Sequence, residues 1–225
     1  MDLYLIRHAQ STNNALTNRM DRGHDPTLTE LGQQQAQCLA AYMHQRYTLA
    51  DGRPIVLYVS PMWRTLQTAA PVAEALGVTP SVWADIHERG GVYAYDPATG
   101  EAVGAPGKTR SEMAAEFPSY ALPPEVGEDG WWHGNKESRD AAYARAIRVS
   151  QALLARAEGD ERIFLVTHGG FMDFLIKTLL NQLPGEHIFY YNRNVSISHV
   201  RLKREGRLLV YYLNRVEHLP PELLT

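Results

Sequence analysis

Residues 3–8 read LYLIRH, a run of four apolar residues that leads directly into an arginine and a histidine. A short and fully apolar run is typical of a β-strand that is covered on both faces, as in a parallel sheet. Two later runs have the same apolar character. Residues 55–59 are followed directly by Ser60, and residues 163–166 are followed closely by His168. The three runs predict strands that end in polar side chains.

Helical patterns separate these strands. The predicted helices cover residues 30–47, 62–76, 111–117, 137–157 and 170–183. Thr29 is placed to cap the first of them, and Gly77 is placed to end the second. Residues 81–83 predict a further short strand, residues 195–203 and 207–213 predict a late hairpin, and residues 51–54 predict a turn. The stretch 87–107 holds five glycines and two prolines, which predicts a loop.

Alternation of strands and helices indicates an α/β fold, in which three layers (α/β/α) surround a mostly parallel sheet. The late hairpin adds an antiparallel strand, and a single domain over residues 1–225 fits the length. Ligands bind beyond the carboxyl ends of the strands in such sheets. We therefore expect Arg7, His8, Arg64 and His168 to share one pocket.

The composition excludes several classes of function. With 44% hydrophobic and 21% charged residues and a net charge of -3, the chain is typical of a soluble globular protein. A slightly negative net charge argues against nucleic-acid and membrane partners. Cys38 is the single cysteine, so no intrachain disulfide can form. It fits a core position on the first helix, and we expect a cytoplasmic protein.

The chemistry of these residue types points to phosphoryl transfer. Arginine offers a planar fork of donors that matches phosphate oxygens, and histidine can be neutral and nucleophilic near pH 7. His8 is the candidate nucleophile. Two arginines supply the charge that a metal supplies elsewhere, and the remaining histidines lack metal-ligand spacing, so no metal and no cofactor are expected.

Four segments occur in order: LYLIRHAQSTNN from Leu3, SPMWRTLQTA from Ser60, HERGG from His87 and VTHGGF from Val166. Together they resemble the histidine phosphatase superfamily, also called the phosphoglycerate-mutase-like family. The resemblance covers nearly the whole chain. The sequence departs from the family pattern at Ala9, where glycine is usual. It also departs at Pro26, which stands one position away from the proline of the family's usual Pro-Leu-Thr.

The resemblance implies a phosphoglycerate-mutase-like fold, with a variable specificity insertion at about residues 89–136. It also implies roles for single residues. His8 would become the phosphohistidine, and Glu88 would donate a proton to the leaving oxygen, which favours a pH optimum below neutrality. The residues implied to bind the phosphoryl group or substrate are Arg7, Asn14, Arg64, His168 and Gly169.

Three functions remain open. A phosphatase acting on a small phosphorylated metabolite is preferred over a cofactor-dependent phosphoglycerate mutase, because the chain lacks the adjacent arginine pair of the mutases. A catalytically inactive binding domain is the third alternative. The edge of the late hairpin could pair two copies into a homodimer.

Several side chains within residues 89–136 or just after them have no assigned role. Trp131 and Trp132 could line a substrate cleft or cover the core. Four cations could reach a second anionic group or be solvated: Lys108, Arg110, Lys136 and Arg139.

Overall fold

The computed structural model of the protein describes residues 1–48 and 52–225. Eight strands lie in these ranges: β1 (Asp2–Arg7), β2 (Ile55–Val59), β3 (Ser81–Val82), β4 (Tyr93–Tyr95), β5 (Ala102–Gly104), β6 (Arg162–Thr167), β7 (Ile197–Leu202) and β8 (Leu208–Arg215). The α-helices described there are α1 (Thr12–Ala15), α2 (Glu30–Met43), α3 (Trp63–Leu76), α4 (Arg110–Glu116), α5 (Arg139–Leu154) and α6 (Gly169–Leu179).

Six of the strands form the central sheet, in the order β3-β2-β6-β1-β7-β8. Strands β1, β2, β3 and β6 are parallel, while β7 and β8 add antiparallel pairs at one edge. The mostly parallel sheet with an antiparallel edge is confirmed. Because β6 lies between β1 and β2, the carboxyl ends of these three strands are neighbours.

Helices cover both faces of the sheet, which confirms the three-layer α/β/α architecture. Alternation along β1 decides which side chain enters which layer. Tyr4 and Ile6 pack in the core beneath α2 and α3, whereas Leu3 and Leu5 pack in the core beneath α5 and α6. Strand β1 is thus buried on both faces, as its unbroken apolar sequence predicts.

Helix boundaries follow the capping chemistry of the sequence. The Thr29 side chain accepts a hydrogen bond from the Gly32 amide at the start of α2. Helix α3 ends at Leu76 and is capped by Gly77, whose φ of 65° lies in the left-handed region that glycine tolerates. Helix α2 continues beyond Met43 as a π-helical turn over residues 44–48. Helix α6 ends at Leu179, four residues earlier than the sequence pattern suggests.

The predicted loop over residues 87–107 is wrong in part, because strands β4 and β5 form a separate two-stranded antiparallel sheet there. Each strand has three residues, too few for an alternating pattern to show in the sequence. The short helix α1 and a 3-10 turn at Arg19–Asp21 were also not predicted. The predicted turn at 51–54 begins at Asp51, which lies outside the described residues.

Cys38 is partly buried and packs against the core beneath α2 and α3. Across the described ranges, none of the helices has the length and apolar character that a bilayer crossing requires.

Candidate active site

The ends of β1, β2 and β6 open into a cleft of about 590 Å³. Of the residues predicted to share a site, six line this cleft: Arg7, His8, Asn14, Arg64, Glu88 and Gly169. His168 lies directly behind them, with its ring centroid 5.1 Å from that of His8. The structure therefore brings together all seven predicted site residues. We call Arg7, His8, Asn14, Arg64 and Glu88 the inner pocket.

The two ring nitrogens of His8 have different partners. Nδ1 lies 2.6 Å from the carbonyl oxygen of Ala9, which can only accept a hydrogen bond, so Nδ1 carries the proton. Nε2 accepts a hydrogen bond from Arg64 Nε at 3.2 Å. The unprotonated Nε2 therefore offers its lone pair on the side where Arg64 lies. Burial, with Arg64 and Arg7 nearby, holds the pKa of His8 well below its usual range. His8 is neutral at pH 7.

Neighbouring backbone and side chains fix the position of His8. Asn194 Nδ2 donates to the His8 carbonyl at 2.9 Å. Thr68 Oγ1, on α3, accepts from the Ala9 amide at 3.0 Å. Ala9 does not adopt a positive φ, so the substitution of the usual glycine carries no backbone strain.

Every nitrogen of the Arg64 guanidinium has a neighbour. Besides the bond from Nε to His8, Nη2 donates to His168 Nδ1 at 3.0 Å, and Nη1 lies 3.6 Å from Asp25 Oδ1. The Asp25 carboxylate also accepts from the Trp63 amide at 3.0 and 3.1 Å. Burial raises the pKa of Asp25 to about 6, against the opposing effect of Arg64.

His168 is fully buried and supports Arg64 from behind. Its Nδ1 accepts from Arg64, so its Nε2 carries the proton and donates to Ser60 Oγ at 2.7 Å. Burial and Arg64 lower the pKa of His168 well below its usual range, so it too is neutral. A direct contact of His168 with a phosphoryl oxygen stays a prediction.

Arg7 has one partnered nitrogen and one without a partner. Its Nη1 donates to the Asn192 carbonyl at 2.7 Å. Its Nε is buried and has no hydrogen-bond acceptor among the described residues. Since a buried donor without an acceptor is costly, this nitrogen suits an anion that enters the cleft.

Glu88 lies at the amino terminus of α6. Its Oε2 accepts from the Gly170 amide at 3.2 Å, and its Oε1 accepts from the Arg89 amide at 2.8 Å. These two backbone amides fix the position of the carboxyl group at the edge of the cleft. The loop that carries Glu88 is held by Arg145 of α5, whose Nη1 donates to the carbonyls of Asp85 at 2.7 Å and His87 at 3.0 Å.

Asn14 and Gly169 complete the predicted set. Asn14 Oδ1 accepts from the Ser11 amide at 3.1 Å and from Ser11 Oγ at 3.0 Å, which fixes the amide at the edge of the cleft. A Cβ at Gly169 would lie 3.3 Å from Arg7 Nε, so a glycine leaves room for that guanidinium.

Five further residues of the cleft lining, which we call the outer wall, come from loops and the small hairpin: Arg22, Arg89, Tyr93, Tyr95 and Lys136. These side chains are half-buried or exposed, in contrast with His8 and Arg64. Lys136 Nζ donates to the Tyr95 hydroxyl at 3.0 Å and lies 5.0 Å from the centre of the Tyr93 ring.

The residues that the sequence left without a role separate into two groups. Trp131 and Trp132 pack on His87 and against the core, and neither lines the cleft. Lys108 pairs with Glu112, and Arg110 donates to backbone carbonyls of residues 122, 123 and 126. Lys136 and Arg139 do line the cleft.

Sequence reasoning missed the supporting residues of the site, namely Asp25, Ser60, Glu137, Arg145 and Asn194. One of them leaves a signal in the sequence. Arg145 lies among Ala142, Ala146 and Val149 on the apolar face of α5, where a charged residue is unexpected without a buried partner. Its partner is Glu137, at 2.7 and 3.0 Å.

The chain matches the model of the histidine phosphatase superfamily (branch 1) over residues 3–215, and it therefore belongs to that superfamily. Solved structures share the fold. One is a phosphoserine phosphatase from Entamoeba histolytica, mutated at its histidine 9 and bound to phosphoserine. It matches with a TM-score of 0.61 and 21% sequence identity, and the match covers 97% of this chain and 99% of that protein. A mycobacterial glucosyl-3-phosphoglycerate phosphatase has a TM-score of 0.60 at 22% identity, covering 96% of this chain and 99% of its own.

A curated relative matches only a segment. A PE-PGRS family protein of Mycobacterium tuberculosis is 39% identical over 83 residues, which are 37% of this chain. The match covers 13% of that relative's length.

Proposed function

We propose that this protein is a phosphatase that hydrolyses small-molecule phosphate monoesters through a phosphohistidine on His8, with Glu88 as proton donor. The observation that carries the proposal is the state of His8: it is neutral and its unprotonated Nε2 lies 3.2 Å from Arg64 Nε. A nucleophile and a guanidinium in this arrangement suit attack on phosphorus. Membership of the superfamily supports the proposal.

The reaction has two steps. His8 Nε2 attacks phosphorus, the bond from phosphorus to the leaving oxygen breaks, and Glu88 gives that oxygen its proton. A water molecule then attacks the phosphohistidine, the bond from nitrogen to phosphorus breaks, and the Glu88 carboxylate takes the proton of the water. Arg7 and Arg64 stabilise the negative charge on the phosphoryl oxygens in both steps. Neither step draws on a metal.

His168 supports this reaction through Arg64. With its Nε2 proton on Ser60 and its Nδ1 facing Arg64, it holds the guanidinium beside the nucleophile. We place no proton transfer on His168, because burial keeps it neutral and both of its nitrogens are already hydrogen-bonded.

The first experiment measures hydrolysis of p-nitrophenyl phosphate. We expect turnover by the wild type and a loss of at least about 10³-fold in kcat for His8→Ala and His8→Gln. The phosphoenzyme, trapped by rapid quench with a ³²P-labelled ester, should be stable in alkali and labile in acid, as a phosphoramidate is. Equal activity of the folded His8 variants, or an acid-stable label, would overturn the proposal.

The second candidate is the cofactor-dependent phosphoglycerate mutase, which shares the superfamily fold. Incubation with 3-phosphoglycerate and a bisphosphoglycerate primer separates the two functions. We expect free phosphate, whereas a mutase would yield 2-phosphoglycerate. An inactive binding domain would give neither product and no labelled histidine.

A further inference from the structure

Helix α6 carries a buried ion pair that the proposed reaction does not use. Asp173 and Lys177 lie four residues apart, and Lys177 Nζ donates to Asp173 Oδ2 at 2.8 Å. Each residue is 1% exposed, and neither lines the cleft. Charged side chains are seldom buried so completely, because taking two charges out of water often costs more than their attraction returns. The pair therefore calls for an explanation beyond the stability of the helix.

Both members of the pair also bind the backbone that follows α6. Asp173 Oδ1 accepts a hydrogen bond from the Tyr190 amide at 2.9 Å, and Lys177 Nζ donates to the Gly185 carbonyl at 3.1 Å. We call residues 182–192 the cleft segment, because four of them line the cleft: Glu186, Phe189, Tyr191 and Asn192. All of its residues are described, and none belongs to a helix or a strand, so side chains must satisfy part of its backbone.

The cleft segment buries little apolar surface of its own. Its large apolar side chains are at least half exposed: Leu183, Ile188, Phe189 and Tyr191. Helix α5 binds its first half, where Tyr143 Oη donates to the Gln182 carbonyl at 2.8 Å. Asp173 of α6 binds its second half, which leads into the cleft. Since a segment with few buried apolar contacts is easily displaced, its position depends on these polar contacts.

The second half of the cleft segment contacts Arg7. Asn192 Nδ2 donates to the Tyr190 carbonyl at 2.8 Å, which ties these two residues together. The Asn192 carbonyl accepts from Arg7 Nη1 at 2.7 Å, and among the described residues it is the one hydrogen-bond acceptor of this guanidinium. A continuous series of contacts therefore runs from Asp173 through Tyr190 and Asn192 to Arg7.

We infer that Asp173 and Lys177 are positioning residues, which hold the cleft segment to α6 so that the Asn192 carbonyl orients Arg7 for the phosphoryl group. The inference rests on the proposed phosphatase function and adds two residues that lie outside the cleft. A guanidinium that is oriented before the substrate arrives stabilises charge in the transition state without a rearrangement at that moment.

The test replaces the pair in two ways in the intact chain. Asp173→Leu/Lys177→Met removes both charges and both contacts with the cleft segment, and the fold should persist because apolar residues can replace a buried ion pair. We expect kcat/KM for p-nitrophenyl phosphate to fall by about 10- to 100-fold.

Asp173→Asn/Lys177→Gln is the matched variant. It also removes both charges, but it keeps an acceptor for the Tyr190 amide and a donor for the Gly185 carbonyl. We expect it to restore kcat/KM to within about threefold of wild type. Equal losses in the two double variants would overturn the inference, because the contacts with the cleft segment would then not matter.

A double-mutant cycle shows whether the effect passes through Arg7. On an Arg7→Gln background, Asp173→Leu/Lys177→Met should change kcat/KM by less than about threefold, because the guanidinium that the pair orients is gone. The same loss as on the wild-type background would indicate a general disturbance of the fold and would contradict the positioning role.

Two measurements do not depend on turnover. Calorimetry with orthovanadate should give a dissociation constant at least about tenfold higher for Asp173→Leu/Lys177→Met than for wild type. In wild type, orthovanadate should slow hydrogen exchange of the Tyr190 amide by at least about fivefold, because coupling between two sites is reciprocal. The exchange experiment decides the question even where the double variant does not fold, since an unchanged rate would overturn the inference.

The outcomes separate this inference from the phosphatase proposal. If wild type hydrolyses the ester, and Asp173→Leu/Lys177→Met binds orthovanadate and turns over as wild type does, the positioning role is overturned and the phosphatase proposal stands. If orthovanadate binding shows the expected dependence on the pair but wild type hydrolyses no ester, the phosphatase proposal is overturned and the positioning role stands.

Discussion

The inner pocket and the outer wall line the same cleft, but they are built differently. His8 and the supporting His168 are buried at the ends of the neighbouring strands β1 and β6, and Arg64 is buried in the first turn of α3. Arg64 donates hydrogen bonds to both histidines. Lys136 and Arg89 are exposed, and they lie in segments outside the central sheet.

This difference in burial and support indicates which part of the cleft suits the reaction and which suits the selection of substrates. Positions at strand ends are held by the sheet on both sides, so reacting groups there have little freedom to move. Loops and a short hairpin can change in length and composition without disturbing the sheet, and they suit the selection of substrates. Three predictions test this division, and one tests two buried groups near the site; they are given from the largest expected effect to the smallest.

The largest effect should come from replacing an arginine of the inner pocket by lysine. Arg64→Lys keeps a positive charge but cannot contact His8, His168 and Asp25 together with one ammonium group. We expect kcat/KM for p-nitrophenyl phosphate to fall by about 10²- to 10³-fold.

The same change on the outer wall provides the control. Arg22→Lys keeps the charge at a half-exposed position, and we expect a change of less than about fivefold in kcat/KM. If the two variants lost similar activity, the division between a rigid pocket and a tolerant wall would be wrong.

The residues of the inner pocket were predictable because each follows an apolar strand or belongs to a motif. Arg7 ends β1 and His8 follows it, Arg64 lies five positions after the end of β2, and His168 follows β6. The order of strands in the sheet, which places β6 between β1 and β2, then brings these ends together. The sequence thus predicted which side chains gather at the cleft and the architecture that gathers them; their roles in the reaction stay predictions.

The outer wall was not predictable in the same way. Arg22, Arg89, Tyr93 and Lys136 are separated by up to 114 positions in the sequence, and no regular pattern links them. Only the packing of the β4 and β5 hairpin against neighbouring loops makes them one surface. Asp25 was missed for a similar reason, because its contact with Arg64 joins a loop to α3 and leaves no periodic signal.

Replacing a glycine next to Glu88 should affect the inner pocket by taking up space beside its carboxyl group. A Cβ at Gly170 would lie 2.6 Å from Glu88 Oε1 and 2.7 Å from Arg89 Nε. Gly170→Ala should therefore displace Glu88 and lower kcat on an alkyl phosphate by about 10- to 100-fold. The loss on p-nitrophenyl phosphate should be smaller, because its leaving group needs less protonation.

Gly23→Ala is the matched control, since a Cβ there meets nothing within 4 Å. We expect its kcat to stay within about twofold of wild type on both esters. An equal loss on the alkyl and aryl esters in Gly170→Ala would argue against Glu88 as proton donor.

Two buried groups should give opposite pH dependence of stability. Asp25 beside the inner pocket has its pKa raised from 3.8 to about 6. Its contribution to the free energy of unfolding therefore grows as pH falls from about 6 to 4. His87, which packs under Trp131 and Trp132, has its pKa lowered by burial from 6.5 to about 3. Its contribution is present above pH 6.5 and is lost as pH falls toward 3.

Urea unfolding between pH 4.5 and 6.5 would measure both slopes. Relative to wild type, Asp25→Asn should lose stability on acidification and His87→Gln should gain it, each by up to about 1.4 kcal/mol per pH unit. The opposite signs of the two pH-dependent changes in stability are the sharper check. A general weakening of the fold would lower the free energy of unfolding of both variants in the same direction. Parallel curves for wild type and both variants would contradict the assignment of these groups.

The smallest effect should come from a hydroxyl on the outer wall. Tyr95→Phe removes the oxygen that accepts from Lys136 Nζ at 3.0 Å, but it keeps the ring that lies 5.3 Å from the same ammonium. Because exposed hydrogen bonds and ion pairs contribute about 0–1 kcal/mol, KM for p-nitrophenyl phosphate should rise by less than about fivefold. A loss of more than about 100-fold in kcat, with KM and thermal stability unchanged, would place Tyr95 in the chemistry, since an exposed hydrogen bond does not have an effect of that size. The outer wall would then belong to the reacting pocket, and the separation of reaction from selection across this cleft would not hold.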